Sequence, residues 1–243
     1  MIHDGLQSTA PELTAFLMIG QSNMAGRGEF ADVEPIQNPL CHMLRNGRWQ
    51  RMSEPVNPDR PIFEGKYHSG VSLAASFADA YATETGCKTG LIPCADGGTS
   101  IAQWQPGEVL YDHAVAQTGF ALRSSRLGGI LWHQGEADCN DERFPLYRDR
   151  FIHMMTSLRK TLGAEDVPLL IGELSTTMTV AIGRSGYPEK LNALFHEIAA
   201  ELPCCAVVSS AGLTMKPDGL HFDARACREF GRRYYAAYRE LLQ

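Results

Sequence analysis

The chain is short of basic charge. Of its 243 residues, 22 are Lys or Arg and 28 are Asp or Glu, a formal net charge of −6. With no positive excess to displace counterions from a phosphate backbone, nucleic acid is not an expected partner. Long hydrophobic runs are also missing. The longest strongly apolar stretch, Ala15 to Ile19, falls far below the ~20 residues a bilayer span needs, so no membrane association is expected. The first fourteen residues hold no cationic segment followed by an apolar one, the pattern of an export signal. A cytoplasmic protein is the expectation, with a trimmed secreted form as the alternative. Paired cysteine spacing is absent too. Cys41, Cys87, Cys94, Cys139, Cys204, Cys205 and Cys227 are odd in number and scattered, which reads as reduced thiols and not as a disulfide framework. No repeat, low-complexity tract or polar linker divides the chain. One domain over 1–243 is expected, against a prior of one per ~150 residues.

Short apolar runs with strand character are present: Leu13 to Ile19, Thr89 to Cys94, Gly129 to Trp132, Pro168 to Gly172 and Cys204 to Ser209. Between them lie segments of helical period, such as Leu73, Phe77, Tyr81 and Thr85, or Phe151, Met154, Leu158 and Leu162. Cys227, Phe230, Tyr234, Tyr238 and Leu241 form one apolar stripe, with Arg228, Arg232, Arg239 and Glu240 expected to face water. Pro188 marks a helix start, Pro203 lies just past its end, and Gly86 and Gly163 follow the two helices before them. Strand alternating with helix calls for parallel strands joined by helical crossovers. The expected fold is therefore α/β, a three-layer α/β/α sandwich on a five-stranded parallel sheet. Its ligand would lie beyond the carboxyl ends of the strands.

Residues 27–69 resist this pattern. They contain five prolines and no sustained period, which suggests a functional excursion over the site. Within them, Asn46-Gly47 is a dipeptide favoured in two-residue hairpin turns.

Four loops carry chemistry-bearing residues. Directly after the first strand comes Gly20-Gln21-Ser22-Asn23-Met24-Ala25-Gly26. Ser22 there either caps a helix through its hydroxyl or acts as a nucleophile, with helix-terminal N–H groups stabilising developing charge. The segment is not a Gly-x-Ser-x-Gly elbow, since Met24 takes the last place. Near the other end, Asp218-Gly219-Leu220-His221 can bring a carboxylate to an imidazole across one turn, the pair that activates a serine. The same pattern also arises as a simple cap or surface pair. Asp96-Gly97-Gly98-Thr99-Ser100 follows the second strand; its glycines either form a tight turn or let backbone N–H groups approach a ligand. After the third strand comes Trp132-His133-Gln134-Gly135-Glu136-Ala137-Asp138, in which the Gln134 amide is a candidate donor. His133 and Glu136 do not make a His-Glu-x-x-His zinc site. The acids Glu136, Asp138, Asp141 and Glu142 read as a solvated loop, so no metal is expected.

Together the four blocks resemble the SGNH hydrolases, in the branch of sialate O-acetylesterases and acetylxylan esterases of carbohydrate esterase family 6. The resemblance runs from Gly20 through Phe222 and rests on the Gly20–Gly26 block, Gly97-Gly98-Thr99-Ser100-Ile101 with Trp104, Trp132–Glu136 and Asp218–Phe222. It implies a flavodoxin-like fold. It also implies Ser22 as nucleophile, His221 as base and Asp218 as the orienting carboxylate, with the Ser22 N–H, the Gly97 N–H and the Gln134 side chain as oxyanion donors. Gln134 stands where the wider group usually has Asn. Gln21, Asn23, Arg27, Gly98, Trp104 and Glu136 are candidates for supporting or substrate-binding roles.

The implied reaction removes an O-acetyl group from a carbohydrate, whether acetylated sugar, sialic acid or xylan fragment, through an acyl-enzyme and without a cofactor. Trp104, Trp49 and Tyr67 are candidate stacking surfaces for a sugar or packing anchors of their loops. Arg27 either meets an anionic sugar carboxylate or pairs locally with Glu29. Two rivals remain, a sugar O-acetyltransferase using the same three residues and a carbohydrate-binding module without catalysis.

Overall fold

The computed structural model describes residues 13–58, 68–178 and 186–243. Strand β1 (Leu13–Gly20) has all eight residues buried, as a strand covered on both faces must. Beside it lie β4 (Lys88–Pro93) and β5 (Arg126–His133), both parallel to it, and β6 (Leu169–Gly172) and β7 (Cys205–Val208) extend the sheet beyond β5. These are the five strands expected from the apolar runs.

The sheet nevertheless has seven strands, in the order β3-β2-β4-β1-β5-β6-β7. The additional pair, β2 (Cys41–Arg45) and β3 (Arg48–Arg51), comes from the 27–69 excursion. It is an antiparallel hairpin whose first strand pairs parallel with β4. Asn46 and Gly47 sit at its turn with φ of 53° and 70°, the backbone that a two-residue type I′ turn requires. The hairpin occupies the sheet edge, so its strands mix apolar residues with His42, Arg45, Arg48 and Arg51 and show no continuous apolar run.

Helices cover both faces. On one, Phe16 and Met18 pack against α2 (Leu73–Thr85) and α6 (Ala224–Leu241). The Phe77, Tyr81 and Tyr238 rings meet Phe16 edge-on at 4.7, 4.9 and 5.4 Å. On the other, Ala15, Leu17 and Ile19 join a second core with α3 (Val109–Ala121), α4 (Phe144–Leu162) and α5 (Tyr187–Glu201). Ser72 caps α2 by accepting from the Ala74 N–H, and Gly86 and Gly163 close α2 and α4. Pro188 lies in the first turn of α5, and Pro203 follows its end. Arg228 departs from expectation. Instead of facing water it is buried against α6's neighbours, where its guanidinium donates to Glu54 and to the Glu34 carbonyl. The excursion covers that part of the helix, which no periodicity within α6 could reveal. Among the described residues, no helix is long and apolar enough to cross a membrane.

Candidate functional site

Parallel strands deliver their following loops to one rim, and there the chain's distant ends meet. The short helix α1 (Ser22–Ala25) starts immediately after β1; its N-cap is Gln21, which makes no side-chain cap. Ser22 therefore does not cap the helix through its hydroxyl. Its Oγ lies 2.9 Å from His221 Nε2, 199 residues away in sequence. His221 Nδ1 lies 2.8 Å from Asp218 Oδ2. The carboxylate fixes the imidazole with its proton on Nδ1, leaving Nε2 free to accept from the hydroxyl. Asp218 Oδ1 also accepts the Leu220 and His221 backbone N–H groups, each at 2.9 Å. Partial burial pushes the Asp218 pKa upward, but the His221 ring and these two N–H groups outweigh it and hold the carboxyl below its ordinary value.

A cavity of about 150 Å³ opens over this chain of groups, lined by Gln21, Ser22, Arg27, Gly97, Gly98 and His221, with Ala137 and Leu220 beside them. Gly97 and Gly98 differ in what they contribute. A Cβ at Gly97 would lie 2.6 Å from Arg27 Nη2 and 3.7 Å from Ser22 Cβ, so the missing side chain is what lets the guanidinium and the serine share this space. Gly98 has open space but a φ of 76°, the left-handed backbone that favours glycine. Arg27 Nη1 donates to the Gly26 carbonyl at 2.7 Å. The Glu29 carboxylate accepts from Lys216 Nζ at 2.6 Å. The same ammonium holds the Arg27 carbonyl at 2.9 Å.

Beneath the cavity lies a buried polar layer. Asn23 Nδ2 donates to Glu136 Oε1 at 2.6 Å and to the Leu220 carbonyl at 3.2 Å, while Asn23 Oδ1 accepts the Phe222 N–H at 3.1 Å. One amide thus ties the serine's helix to the histidine's loop. Glu136 Oε1 is also 3.2 Å from His133 Nε2. Burial opposes the Glu136 charge, yet His133, Asn23 and the backbone together hold its pKa below the ordinary carboxylate value. Asp138 is shifted the other way. Burial dominates there and raises its pKa against hydrogen bonds from Gln134 and the Ile101 N–H. The expectation of a solvated acidic loop is corrected for these two residues, at 1% and 0% exposure. Asp141 bonds the Tyr187 hydroxyl, and among the described residues no three His, Cys, Asp or Glu side chains gather as a metal site.

Gln134, expected as an oxyanion donor, is not among the residues lining the cavity. It is fully buried, its Nε2 donates to Asp138 Oδ2 at 2.6 Å and to the Thr99 carbonyl at 2.9 Å, and its Oε1 accepts from the Tyr147 hydroxyl at 3.0 Å. Both amide hydrogens are therefore engaged within the protein. Trp104 is likewise withdrawn from any sugar-stacking role. It is 1% exposed, donates through Nε1 to Thr99 Oγ1 at 3.1 Å and packs edge-on against Trp132. Trp49 lies over Gly90 on the sheet, away from the cavity lining, and Tyr67 falls outside the described residues. Ala137 and Leu220 escaped the sequence reading, since small or apolar loop residues carry no chemical signal.

The sequence matches the family described as carbohydrate esterase, sialic acid-specific acetylesterase over residues 12–240. A probable carbohydrate esterase of Arabidopsis thaliana is 32% identical over 256 residues, spanning 96% of this chain and 93% of that protein. The crystal structure of that Arabidopsis protein superposes with a TM-score of 0.82 at 26% identity, covering 95% of this chain and 98% of the other. NanS gives a TM-score of 0.72 at 17% identity, covering 96% and 99%. A carbohydrate acetylesterase from Xanthomonas citri gives 0.65 at 18% identity, covering 94% of this chain and 56% of that one. The last two bear on the fold alone.

Proposed function

Because the chain belongs to the carbohydrate esterase family of sialic acid-specific acetylesterases, we propose that it removes O-acetyl groups from a carbohydrate by serine catalysis. The observation that carries this reading is the Ser22–His221–Asp218 chain of contacts, 2.9 and 2.8 Å long, at the mouth of a small cavity. Ser22 Oγ attacks the ester carbonyl carbon as its proton passes to His221 Nε2. The carbonyl electron pair moves onto oxygen, towards the backbone N–H groups of Ser22 and Gly97. When the tetrahedral intermediate collapses, His221 returns the proton to the departing sugar hydroxyl. Water, deprotonated by the same imidazole, then releases acetate from the acyl-enzyme.

The cavity's size favours a short acyl group, since about 150 Å³ is below the ~300–1,000 Å³ of pockets that enclose drug-sized ligands. The acetyl group enters, and the sugar remains at the open rim. A second reading, transfer of the acetyl group to a sugar hydroxyl, would use the same residues with a different acceptor.

A short aryl acetate tests the core of this proposal. Wild-type protein is expected to hydrolyse it, and Ser22→Ala is expected to lose turnover while keeping its circular dichroism and melting temperature. Equal rates in the two proteins would remove Ser22 from the mechanism. Supplying a sugar acceptor and analysing products separates transfer from hydrolysis.

A further inference from the structure

Gln134's engagement leaves the oxyanion without the side-chain donor expected of it, and the neighbouring Gln21 is oriented in a way that supplies one. We propose that the Gln21 side-chain amide is the third oxyanion donor, a catalytic role that rests on the serine-esterase reading above.

The orientation of the amide is decided by what surrounds its oxygen. Gln21 Oε1 faces two backbone N–H groups, Ala137 at 3.3 Å and Gly135 at 3.5 Å, with Gln134 Nε2 a further 3.3 Å contact whose two hydrogens go to Asp138 and Thr99. Turning the amide over would set its NH₂ against donors, with nothing to accept. Nε2 is therefore directed away from the 134–137 loop. No protein acceptor for it exists among the described residues, nor is it a buried atom lacking a partner. Gln21 is only 2% exposed and lines the cavity, so the accessible donor belongs to that space. An NH₂ group reaching the cavity from the residue preceding the serine is placed to meet the charge that forms there.

The Gly135 and Ala137 backbone N–H groups turn the Gln21 oxygen inward, and Gln134, held by Asp138 and Thr99, packs beside it. In the attacking step, Ser22 Oγ bonds to the carbonyl carbon, the π pair moves to oxygen, and the proton goes to His221. The resulting O⁻ accepts from Ser22 N–H, Gly97 N–H and Gln21 Nε2. Donors held before the reaction stabilise such charge without reorganising.

The test compares wild type, Ser22→Ala, Gln21→Ala and Gln21→Glu on 4-nitrophenyl acetate, with binding of an alkylboronic acid as the probe of the tetrahedral adduct. Gln21→Ala is expected to lower kcat by ~100-fold or more, leave KM unchanged and weaken boronate binding in parallel. Gln21→Glu keeps an oxygen for the two backbone N–H groups but aims a second oxygen at the oxyanion, so it is expected to lose at least as much. A purely structural Gln21 gives the opposite pattern, with Glu restoring what Ala loses, and that result overturns the inference. So does an unchanged kcat in Gln21→Ala beside an inactive Ser22→Ala, which leaves the esterase reading standing. Activity retained in Ser22→Ala removes that reading itself. If Gln21→Ala fails to fold, Gln21→Glu decides: full activity overturns the proposal and a loss of ~100-fold or more supports it.

Discussion

At the scale of the residue, the two adjacent glycines of the β4 loop are needed for different reasons, and their substitutions separate accordingly. Gly97→Ala puts a Cβ 2.6 Å from Arg27 Nη2. The clash is with the end of a flexible side chain, so the fold is expected to survive while the guanidinium is displaced from the cavity. Because the Gly97 N–H is a proposed oxyanion donor, whatever part of the crowding the backbone takes up misplaces it, and turnover of an aryl acetate should fall by about 10- to 100-fold, the effect of displacements near 1 Å at a reacting centre. Gly98→Ala meets open space but requires a left-handed backbone, which costs roughly 1–2 kcal/mol. It is expected to lower the melting temperature more than Gly97→Ala and to lower turnover less. Steady-state kinetics and thermal unfolding on the two variants would check this, and identical profiles would contradict it. The doublet was visible in the sequence, but the division of labour was not. It depends on Arg27, which reaches Gly97 across 70 residues of chain.

Elements show a similar division. The amphipathic stripe of α6 was legible because burial on one face imposes a 3.6-residue period, and Phe230, Tyr234 and Tyr238 are buried as the stripe requires. Gly231 within the same helix carried no such signal. It lies where α6 crosses α2, and a Cβ there would come 2.1 Å from both the Leu73 carbonyl and Ser76 Oγ. The two helices are held at this distance by Ser76 Oγ, near the carbonyls of Leu73 and Cys227 at 3.1 and 3.3 Å. Since one obstacle is main chain, Gly231→Ala can be relieved only by moving the helices apart. It is expected to destabilise by about 3 kcal/mol, roughly 10 °C in melting temperature. Differential scanning calorimetry would measure this; a stability equal to wild type would mean the helices separate freely.

For the whole molecule, the coupling of distant segments passes through buried charge. Glu136 loses its proton more readily in the folded chain than at its ordinary value of 4.5. Its contribution to stability is therefore fully present above about pH 4.5, where folded and unfolded chains both carry the charge. It is lost as pH falls through the lower folded pKa, because the unfolded chain takes up the proton first. Glu136→Gln removes this term. The variant is expected to be less stable near neutrality and to lose less of its remaining stability between about pH 6 and about pH 3 than wild type does. Acid titration followed by circular dichroism would test it, and parallel curves would show that Glu136 titrates alike in both states.

From the sequence alone came the five parallel strands, the α/β layering, the Asn46-Gly47 turn and the residue types of a serine–histidine–aspartate set. Each is written in a local pattern: an apolar run, a helical period, a dipeptide with special backbone freedom, or a three-residue spacing such as Asp218 to His221. Tertiary structure alone decided that Ser22 meets His221, that Arg228 is buried on Glu54, that Trp104 is core, and that Gln21 and not Gln134 faces the cavity. These outcomes depend on which distant groups share a volume. A side chain's donors and acceptors are satisfied by whatever neighbours the packed chain provides, and those neighbours leave no period or spacing in the sequence around it.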